Sequence, residues 1–186
     1  GYQRLEARSL QVLADCAPPA EGAWSVTACA QPLAIEVLTA GRRMIVACAW
    51  SPEANGPQAL RLADASSTVG VGDASCGEPL RGFRANALGP RLVDAYDTVT
   101  AQRHETAQAL WLEMSHEGWV PRFGLRHERR LFLDLAADEL RGEERLTPVS
   151  EASGDPEARR FVPFMVRFHV HPDVRASLAR DGKSVL

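Results

Sequence analysis

The sequence predicts an all-β domain, built as an antiparallel, two-layer β-sandwich. Apolar and polar residues alternate with a period of two in short segments, and Gly, Pro, Asn and Asp bound those segments. This is the pattern of antiparallel strands with one buried face. Helical periodicity is confined to weak candidates such as residues 172–178. Because so many strands must bury one face against a second sheet, a sandwich is the architecture that follows.

The length and composition predict one packed domain. The chain has 186 residues, of which 45% are hydrophobic and 24% are charged, as in globular rather than disordered proteins. We expect residues 1–186 to be a single domain, cut from a longer parent because the chain lacks an initiating Met. The net charge of -3 gives no general attraction for nucleic acid. No apolar run reaches the roughly 18 residues of a transmembrane helix.

The first pair of strands is predicted at residues 33–38 and 43–48. Both segments are rich in apolar and β-branched residues. Their connection, residues 39–42, contains Gly41, which can adopt the positive φ that a tight turn requires. We therefore expect an antiparallel hairpin here.

A meander is predicted in the second half of the chain. Apolar alternation runs through residues 109–114, 123–127 and 131–135. A turn at residues 117–118 separates the first two segments. Residues 138–143 are mostly charged and contain a glycine, so we expect another turn region there, followed by a short strand.

The C-terminal part is predicted to contain a loop and then a strand. Residues 151–158 combine small, acidic and breaker residues without an apolar anchor, which predicts a flexible loop within the domain. Alternation resumes in residues 161–171. The face expected in the core carries Val162, Phe164, Val166, Phe168 and Val170. The opposite face, exposed or flooring a groove, carries Met165, Arg167, His169 and His171.

The His169-x-His171 pair is the first candidate site. Residues i and i+2 of a strand share one face, with Cα atoms roughly 6–7 Å apart, so two imidazoles could bind one metal ion. A zinc site needs a third protein ligand, and the sequence does not identify one. Surface or hydrogen-bonded histidines are the favoured interpretation. A metalloenzyme built on this pair is the least favoured function.

A basic segment from His116 to Arg130 is the second candidate site. In one strand phase, His127 and Arg129 interrupt an apolar face, so they must be paired, hydrogen-bonded or at the rim of the core. The favoured interpretation is that they form an ion-pair ladder with carboxylates of neighbouring strands. The alternative is an anion-binding face, since Arg presents a planar fork of donors to carboxylate or sulfate. The carboxylates available for the ladder are Glu113, Glu117, Glu128 and Asp134.

The cysteines are predicted to be free thiols. None of Cys16, Cys29, Cys48 and Cys76 forms a C-x-x-C pair, which argues against a zinc ribbon or a thioredoxin-type site. Cys29 and Cys48 have strand-like neighbours and no histidine nearby in sequence, which favours small buried residues. A disulfide between two of these cysteines remains an alternative if the parent protein is exported.

Six segments in a fixed order carry a family resemblance. They are LAIE at 33–36, GRRMIV at 41–46, ASSTV at 65–69, WLEMSHEGW at 111–119, RFGLRHERR at 122–130 and VRFHVHPDV at 166–174. In order and spacing they resemble the C-terminal β-sandwich region of the heparinase II/III-like polysaccharide lyases, particularly the bacterial branch. The resemblance covers most of the chain.

The resemblance implies a parent enzyme with an N-terminal α-helical toroid before this domain. Such an enzyme cleaves acidic, uronate-containing polysaccharides such as glycosaminoglycans by β-elimination. The reaction needs a neutralised carboxylate, a base for the C5 proton and an acid for the leaving oxygen, and in the family the toroid supplies most of these groups. The chain alone is then expected to be inactive. A periplasmic or secreted parent is also implied.

The chain departs from the family pattern at the positions of the family metal site. Where the family usually reads His-x-His-x-Asp, residues 27–31 read TACAQ, which leaves Cys29 as the coordinating side chain. A later aspartate position is Ala47, and a His-Asn or His-Ser step is Ser66 and Ser67. We therefore expect the divalent-metal site to be lost and no cofactor to bind.

Two functions follow from these observations. One is the β-sandwich part of a lyase, and the other is a non-catalytic carbohydrate-recognition or structural module. No catalytic residue is assigned to this chain. The candidate substrate-binding residues are His116, Trp119, Arg122, His127, Arg130, Arg167 and His169. Exposed aromatic platforms would favour sugar binding, although core packing is the simpler expectation for each tryptophan. The tryptophans are Trp24, Trp50, Trp111 and Trp119.

Overall fold

The strands of this chain form two main antiparallel sheets, which confirms the all-β prediction. The computed structural model describes residues 1–51, 58–149 and 161–186, so the predicted loop at 151–158 lies outside the described residues. The strands are β1 Tyr2–Glu6, β2 Leu10–Asp15, β3 Ile35–Thr39, β4 Arg42–Val46, β5 Val69–Val71, β6 Glu78–Pro79, β7 Leu92–Val93, β8 Val99–Glu105, β9 Ala109–His116, β10 Leu125–Asp134, β11 Glu139–Pro148, β12 Phe164–Val166 and β13 His169–Val170.

Helical structure in the described ranges is short. The α-helices are α1 Gly82–Leu88 and α2 Val120–Phe123, and 3-10 turns occupy Gly22–Val26, Gln58–Arg61 and Ala63–Ala65. In the part of the chain that the structure describes, no helix has the length and apolarity needed to cross a membrane.

The first sheet has the strand order β1-β2-β3-β4-β13. The predicted hairpin is present as β3 and β4, where Thr39 pairs with Arg42 across a two-residue turn. Ala40 and Gly41 at the turn have φ values of 48° and 74°, the positive angles that match the twist of a tight hairpin.

The second sheet has the order β11-β10-β9-β8 and contains the predicted meander. The expectation for residues 138–143 is wrong: apart from Asp138 they belong to β11, which pairs with β10 over ten residues. The turn precedes it and ends at Asp138, whose φ is 55°. Because β11 is an edge strand with many exposed charged residues, its sequence lacks the apolar alternation that marks a half-buried strand.

The two sheets face each other across the main core. Inward side chains of the first sheet pack against those of the second, as in a sandwich. The fully buried members of this core are Leu5, Val12, Ala14, Leu33, Val37, Leu112 and Leu133. A hydrogen bond of 2.5 Å from Ser9 Oγ to Asp138 Oδ2 joins the β1–β2 turn to the β10–β11 turn. The sheets are therefore tied at one end by polar contacts as well as packed by apolar ones.

A second core lies at the other end of the sandwich. Val69 and Val71 of β5 pack there with Trp119 and Leu125. The same cluster contains Cys76 and Tyr96, both buried. This core surrounds the polar site described below.

The single C-terminal strand predicted at residues 161–171 is wrong. The segment forms β12, which pairs with β5, and β13, which pairs with β4. Because the chain changes sheets between these strands, alternation cannot keep one face inward. Phe164, Phe168 and Val170 of the expected core face are exposed, whereas Val162 and Val166 pack on the second core. Residues 172–178 form no helix in the described structure; Leu178 instead makes a β-bridge with Val185.

Candidate functional site

Two imidazoles meet between the sheets. His116 ends β9, and His127 lies directly opposite it on β10. Both side chains point inward and are 0% exposed. His116 Nε2 lies 3.0 Å from His127 Nδ1, so the strand pairing itself brings the rings into hydrogen-bond contact.

The neighbouring groups fix the proton positions on these rings. The N–H of Gly118 donates to His116 Nδ1 at 3.1 Å, so the proton of neutral His116 lies on Nε2 and is donated to His127 Nδ1. His127 Nε2 therefore carries its own proton and donates to Glu144 Oε2 at 2.8 Å. The result is a chain of hydrogen bonds that runs in one direction, which we call the imidazole relay: Gly118, His116, His127 and Glu144.

Arg129 joins the relay to the first sheet. Its Nε donates to Glu144 Oε1 at 2.7 Å. Its Nη1 donates to the carbonyls of Leu33 at 2.6 Å and Ser67 at 2.9 Å. The guanidinium is 0% exposed, and buried charges persist only when they are paired and hydrogen-bonded. Glu144 thus pairs with both inward polar residues of β10, whereas Arg129 Nη2 is buried without a hydrogen-bond partner among the described residues.

Burial keeps both imidazoles neutral near pH 7. Loss of solvent is the largest cause that lowers the pKa of His116 well below 6.5, and the nearby His127 and Arg129 act in the same direction. Burial also lowers the pKa of His127, although the hydrogen bond that His127 donates to Glu144 opposes this shift. With both rings neutral, the proton order along the relay is maintained.

Aromatic rings enclose His116. The Tyr96 and Trp119 rings lie 5.5 Å and 6.2 Å from it. Gly118 permits this packing, because a Cβ there would lie 2.9 Å from both Cys76 Sγ and Tyr96 Cβ. On this side, His116 is therefore enclosed by a tightly packed wall formed by Cys76, Tyr96, Gly118 and Trp119.

Glu144 connects the relay to a groove between the sheets. The groove has a volume of about 560 Å³ and is lined largely by apolar side chains, including Met44, Leu131, Val166 and Phe168. The Glu144 side chain is 19% exposed. A ligand in this groove would meet an apolar wall, the Glu144 carboxylate that already accepts two hydrogen bonds, and the carboxylates of Asp138 and Glu139.

The predicted substrate-binding residues do not line one surface. His116, Trp119 and His127 come together but are 0% exposed. Arg122 lies exposed on α2, with its guanidinium 5.9 Å from the Phe123 ring. Arg130 points away from the core on the opposite face of β10 from His127. Substrate binding by these residues remains a prediction.

The outer face of the second sheet carries the ion-pair ladder that the sequence favoured. Arg130 lies 3.3 Å from Glu113 and 3.7 Å from Glu143, and Arg126 lies 2.5 Å from Glu117. The inward pair His127 and Arg129 uses Glu144 instead, which the sequence did not identify because the short strand expected after residue 143 had no assigned register with β10.

The remaining candidates lie together at the edge of the first sheet. Arg167 Nη1 lies 2.7 Å from Asp64 Oδ1. His169 Nδ1 lies 3.4 Å from Cys48 Sγ, and His169 Nε2 lies 2.9 Å from the carbonyl oxygen of Asp64. His171 turns to a different partner, with Nδ1 3.7 Å from Asp173 Oδ2. Among the described residues, no three His, Cys, Asp or Glu side chains are grouped to hold a metal ion.

The cysteines and tryptophans differ in exposure. All four cysteines are free, as predicted, but the expectation that Cys48 is buried is wrong, because it is exposed. Trp119 is buried as core packing requires, whereas Trp24 is 82% exposed. Trp111 packs edge-on against Phe132 at 5.1 Å, and the Trp50 ring lies 4.9 Å from the Arg61 guanidinium.

Comparison with known proteins gives one family and one curated relative. Residues 1–186 match the family described as Heparinase II/III-like, C-terminal. The chain is 55% identical over 190 residues to FtsZ-localized protein C of Caulobacter vibrioides (strain NA1000 / CB15N). The match covers 100% of this chain and 32% of that protein, so the chain spans about a third of the length of its relative. No solved structure matches the chain.

Proposed function

This chain belongs to the heparinase II/III-like C-terminal domain family, and we propose that it is a non-catalytic module of a larger protein that localises with FtsZ. The observation that carries the proposal is the 55% identity, over the whole chain, to a protein named for its localisation with FtsZ. A parent with an N-terminal α-helical toroid, as the resemblance implies, is part of the same proposal.

The residues at the expected metal positions support a structural role. Ser67 is buried, and its hydroxyl donates to the carbonyl of Val46 at 2.8 Å and accepts from the N–H of His169 at 3.0 Å. That hydroxyl joins β4 to β13. Ala47 offers no ligand atom, and burial raises the pKa of the Cys29 thiol, which disfavours the thiolate that a metal requires.

The imidazole relay also supports a non-catalytic module. A general base must come within hydrogen-bond distance of the proton that it removes from the substrate. His116 and His127 are 0% exposed, and each ring already has a partner on both nitrogens. Their geometry suits the stabilisation of the sandwich.

The proposal is tested with the full-length parent in its own cells. We expect a fluorescent fusion of the parent to follow labelled FtsZ, and the purified parent to release no unsaturated uronate, detected by ultraviolet absorbance, from acidic polysaccharides. Uronate product above a no-protein control would overturn the proposal in favour of a lyase. A fusion that is spread evenly while FtsZ is localised would overturn the FtsZ part.

Acidic polysaccharide remains a second candidate ligand because of a basic hollow on the first sheet. The hollow has a volume of about 620 Å³, and its charged or titratable lining residues are Arg42, Arg43, His171 and Asp173, beside Thr39, Met44 and Val174. Neither arginine forms an ion pair with a residue that the structure describes. Two guanidinium groups without a carboxylate partner suit the carboxylates of uronate sugars.

Calorimetry with uronate oligosaccharides separates this candidate from a purely structural module. We expect Arg42→Met with Arg43→Met to weaken binding about tenfold, since each arginine would lose a charge-assisted contact. Arg141→Met is the matched control, because Arg141 is already paired with Glu139 at 2.9 Å. Equal affinity of all three proteins, or no binding by any, would remove the polysaccharide as a ligand of this hollow.

A further inference from the structure

An exposed thiol and an imidazole are brought together by the pairing of β4 and β13. His169 pairs with Val46, and Cys48 follows Val46 by two residues, which places it on the same side of the extended chain. Diagonal neighbours of this kind lie within reach of a long side chain. Cys48 Sγ and His169 Nδ1 are 3.4 Å apart, although 121 residues separate them in sequence.

The carbonyl of Asp64 orients the imidazole. It lies 2.9 Å from His169 Nε2, and because a carbonyl oxygen can only accept, the proton of the neutral ring lies on Nε2. His169 Nδ1 then has a free electron pair directed at the thiol of Cys48. This is the arrangement of a nucleophile, a base and a group that orients the base.

One short segment holds both partners in place. The N–H of Cys48 donates to the carbonyl of Ala65 at 2.8 Å, and the N–H of His169 donates to Ser67 Oγ at 3.0 Å. With the carbonyl of Asp64, residues 64–67 therefore fix the backbone of each partner and the plane of the ring. The Asp64 carboxylate and the Arg167 guanidinium, which belong to the same two segments, are paired with each other at 2.7 Å.

Cys48 differs from the other three thiols. It is exposed, whereas Cys76 is buried and Cys16 and Cys29 are partly buried. Burial raises the pKa of the Cys16 thiol to about 11 and also raises that of Cys29. The thiolate is the nucleophilic form of cysteine, so these two thiols are disfavoured as nucleophiles near pH 7.

We propose that Cys48 and His169 form a thiol–imidazole dyad, and that Cys48 is a site of reversible exchange with small-molecule disulfides. His169 Nδ1 takes the thiol proton, and the Cys48 thiolate attacks one sulfur of the disulfide. The original S–S bond breaks as the mixed disulfide forms, and the departing thiolate takes the proton from the imidazolium. Exchange requires a base and access to the sulfur, and this geometry supplies both.

The test uses the neutral probe 4,4′-dithiodipyridine, with peptide mapping to locate the first mixed disulfide. We expect Cys48 to be labelled first and the label to be released by dithiothreitol. At pH 7 the unsubstituted protein should react about threefold faster than His169→Gln, because His169 Nδ1 is placed to accept the thiol proton as the sulfur attacks. The ratio should approach one at pH 9.5, where thiols ionise without a base.

Three controls make the outcome decisive. Cys48→Ser should remove the fast reaction, and His171→Gln should leave it unchanged, because His171 faces Asp173 and not Cys48. The glutamine in His169→Gln keeps a donor for the Asp64 carbonyl, and circular dichroism shows whether this variant folds. In urea, where the fold is lost, all four thiols should react alike. The proposal would be overturned if Cys16 or Cys29 were labelled first. It would also be overturned if the unsubstituted protein and folded His169→Gln reacted at equal rates at pH 7.

Discussion

The molecule holds histidine in two settings that orient the ring in the same way but differ in exposure. In the imidazole relay, His127 lies between His116 and Glu144 and is 0% exposed. At the edge of the first sheet, His169 is held by the carbonyl of Asp64 and faces the exposed thiol of Cys48. In both settings a neighbouring group fixes which nitrogen carries the proton. Burial then determines whether the oriented ring only stabilises the fold or is also accessible to a reactant from solvent.

The largest effect should come from removing the charge that supports the buried setting. Arg129→Met leaves Glu144 without its guanidinium and leaves the carbonyls of Leu33 and Ser67 without that donor. We expect a loss of about 3–5 kcal/mol in the free energy of unfolding, measured with urea. Arg130→Met is the control, since this half-exposed neighbour should cost less than about 1 kcal/mol. Equal losses would contradict the structural role of Arg129.

Acid should weaken the buried setting next. The pKa values of His116 and His127 are lowered in the folded protein, so below about pH 6.5 the unfolded chain binds protons that the folded protein does not. Stability should therefore fall as the pH falls, by up to about 1.4 kcal/mol for each histidine at pH 5.5. Urea unfolding at pH 7.5 and 5.5 measures this loss.

The control for the acid effect is the double variant His116→Leu with His127→Leu. Between the two pH values it should lose less stability than the protein without these substitutions, whatever its stability at pH 7.5. An unchanged pH dependence would assign the acid sensitivity to other groups.

Crowding the wall beside His116 should have a moderate effect. At Gly118, an added Cβ would meet Cys76 Sγ and Tyr96 Cβ at 2.9 Å, and we expect Gly118→Ala to cost roughly 2 kcal/mol, as overpacking does. Gly142→Ala is matched to it, because its Cβ would meet Leu131 Cδ2 at an ordinary 3.7 Å. Thermal unfolding of the two variants compares them directly. A smaller loss for Gly118→Ala than for Gly142→Ala would show that this wall yields.

The exposed setting should contribute least to stability. His169→Gln removes the contact with Cys48 but leaves no buried charge, so we expect the free energy of unfolding to change by less than about 1 kcal/mol. Urea unfolding at pH 7.5 measures it beside Arg129→Met. A loss of several kcal/mol would mean that the two settings are alike in their structural role.

The sequence predicted that His127 and Arg129 of β10 need polar partners, but it did not identify Glu144 as that partner. The period of two places His127 and Arg129 inward among Leu125, Leu131 and Leu133, and the structure confirms that both are paired. Glu144 was missed because the strand expected after residue 143 was short and had no assigned register, whereas β11 pairs with β10 over ten residues. An edge strand rich in exposed charges carries no apolar alternation of its own to reveal it.

The edge of the first sheet was beyond the reach of local patterns. Alternation in residues 161–171 is real, but it spans two strands that belong to different sheets. The contact of Cys48 with His169 depends on which strands pair, and 121 residues separate the two. Periodicity assigns a residue to a face and does not give its neighbour across the sheet.

The double use of Glu144 also has an evolutionary consequence. Its two oxygens serve Arg129 and His127 separately, so replacing any one of the three leaves a buried polar group without its partner. Sequences that differ from this one at a single member of the set would be less stable than those that differ at all three. Natural drift at these positions is therefore expected to occur as joint replacement of all three residues.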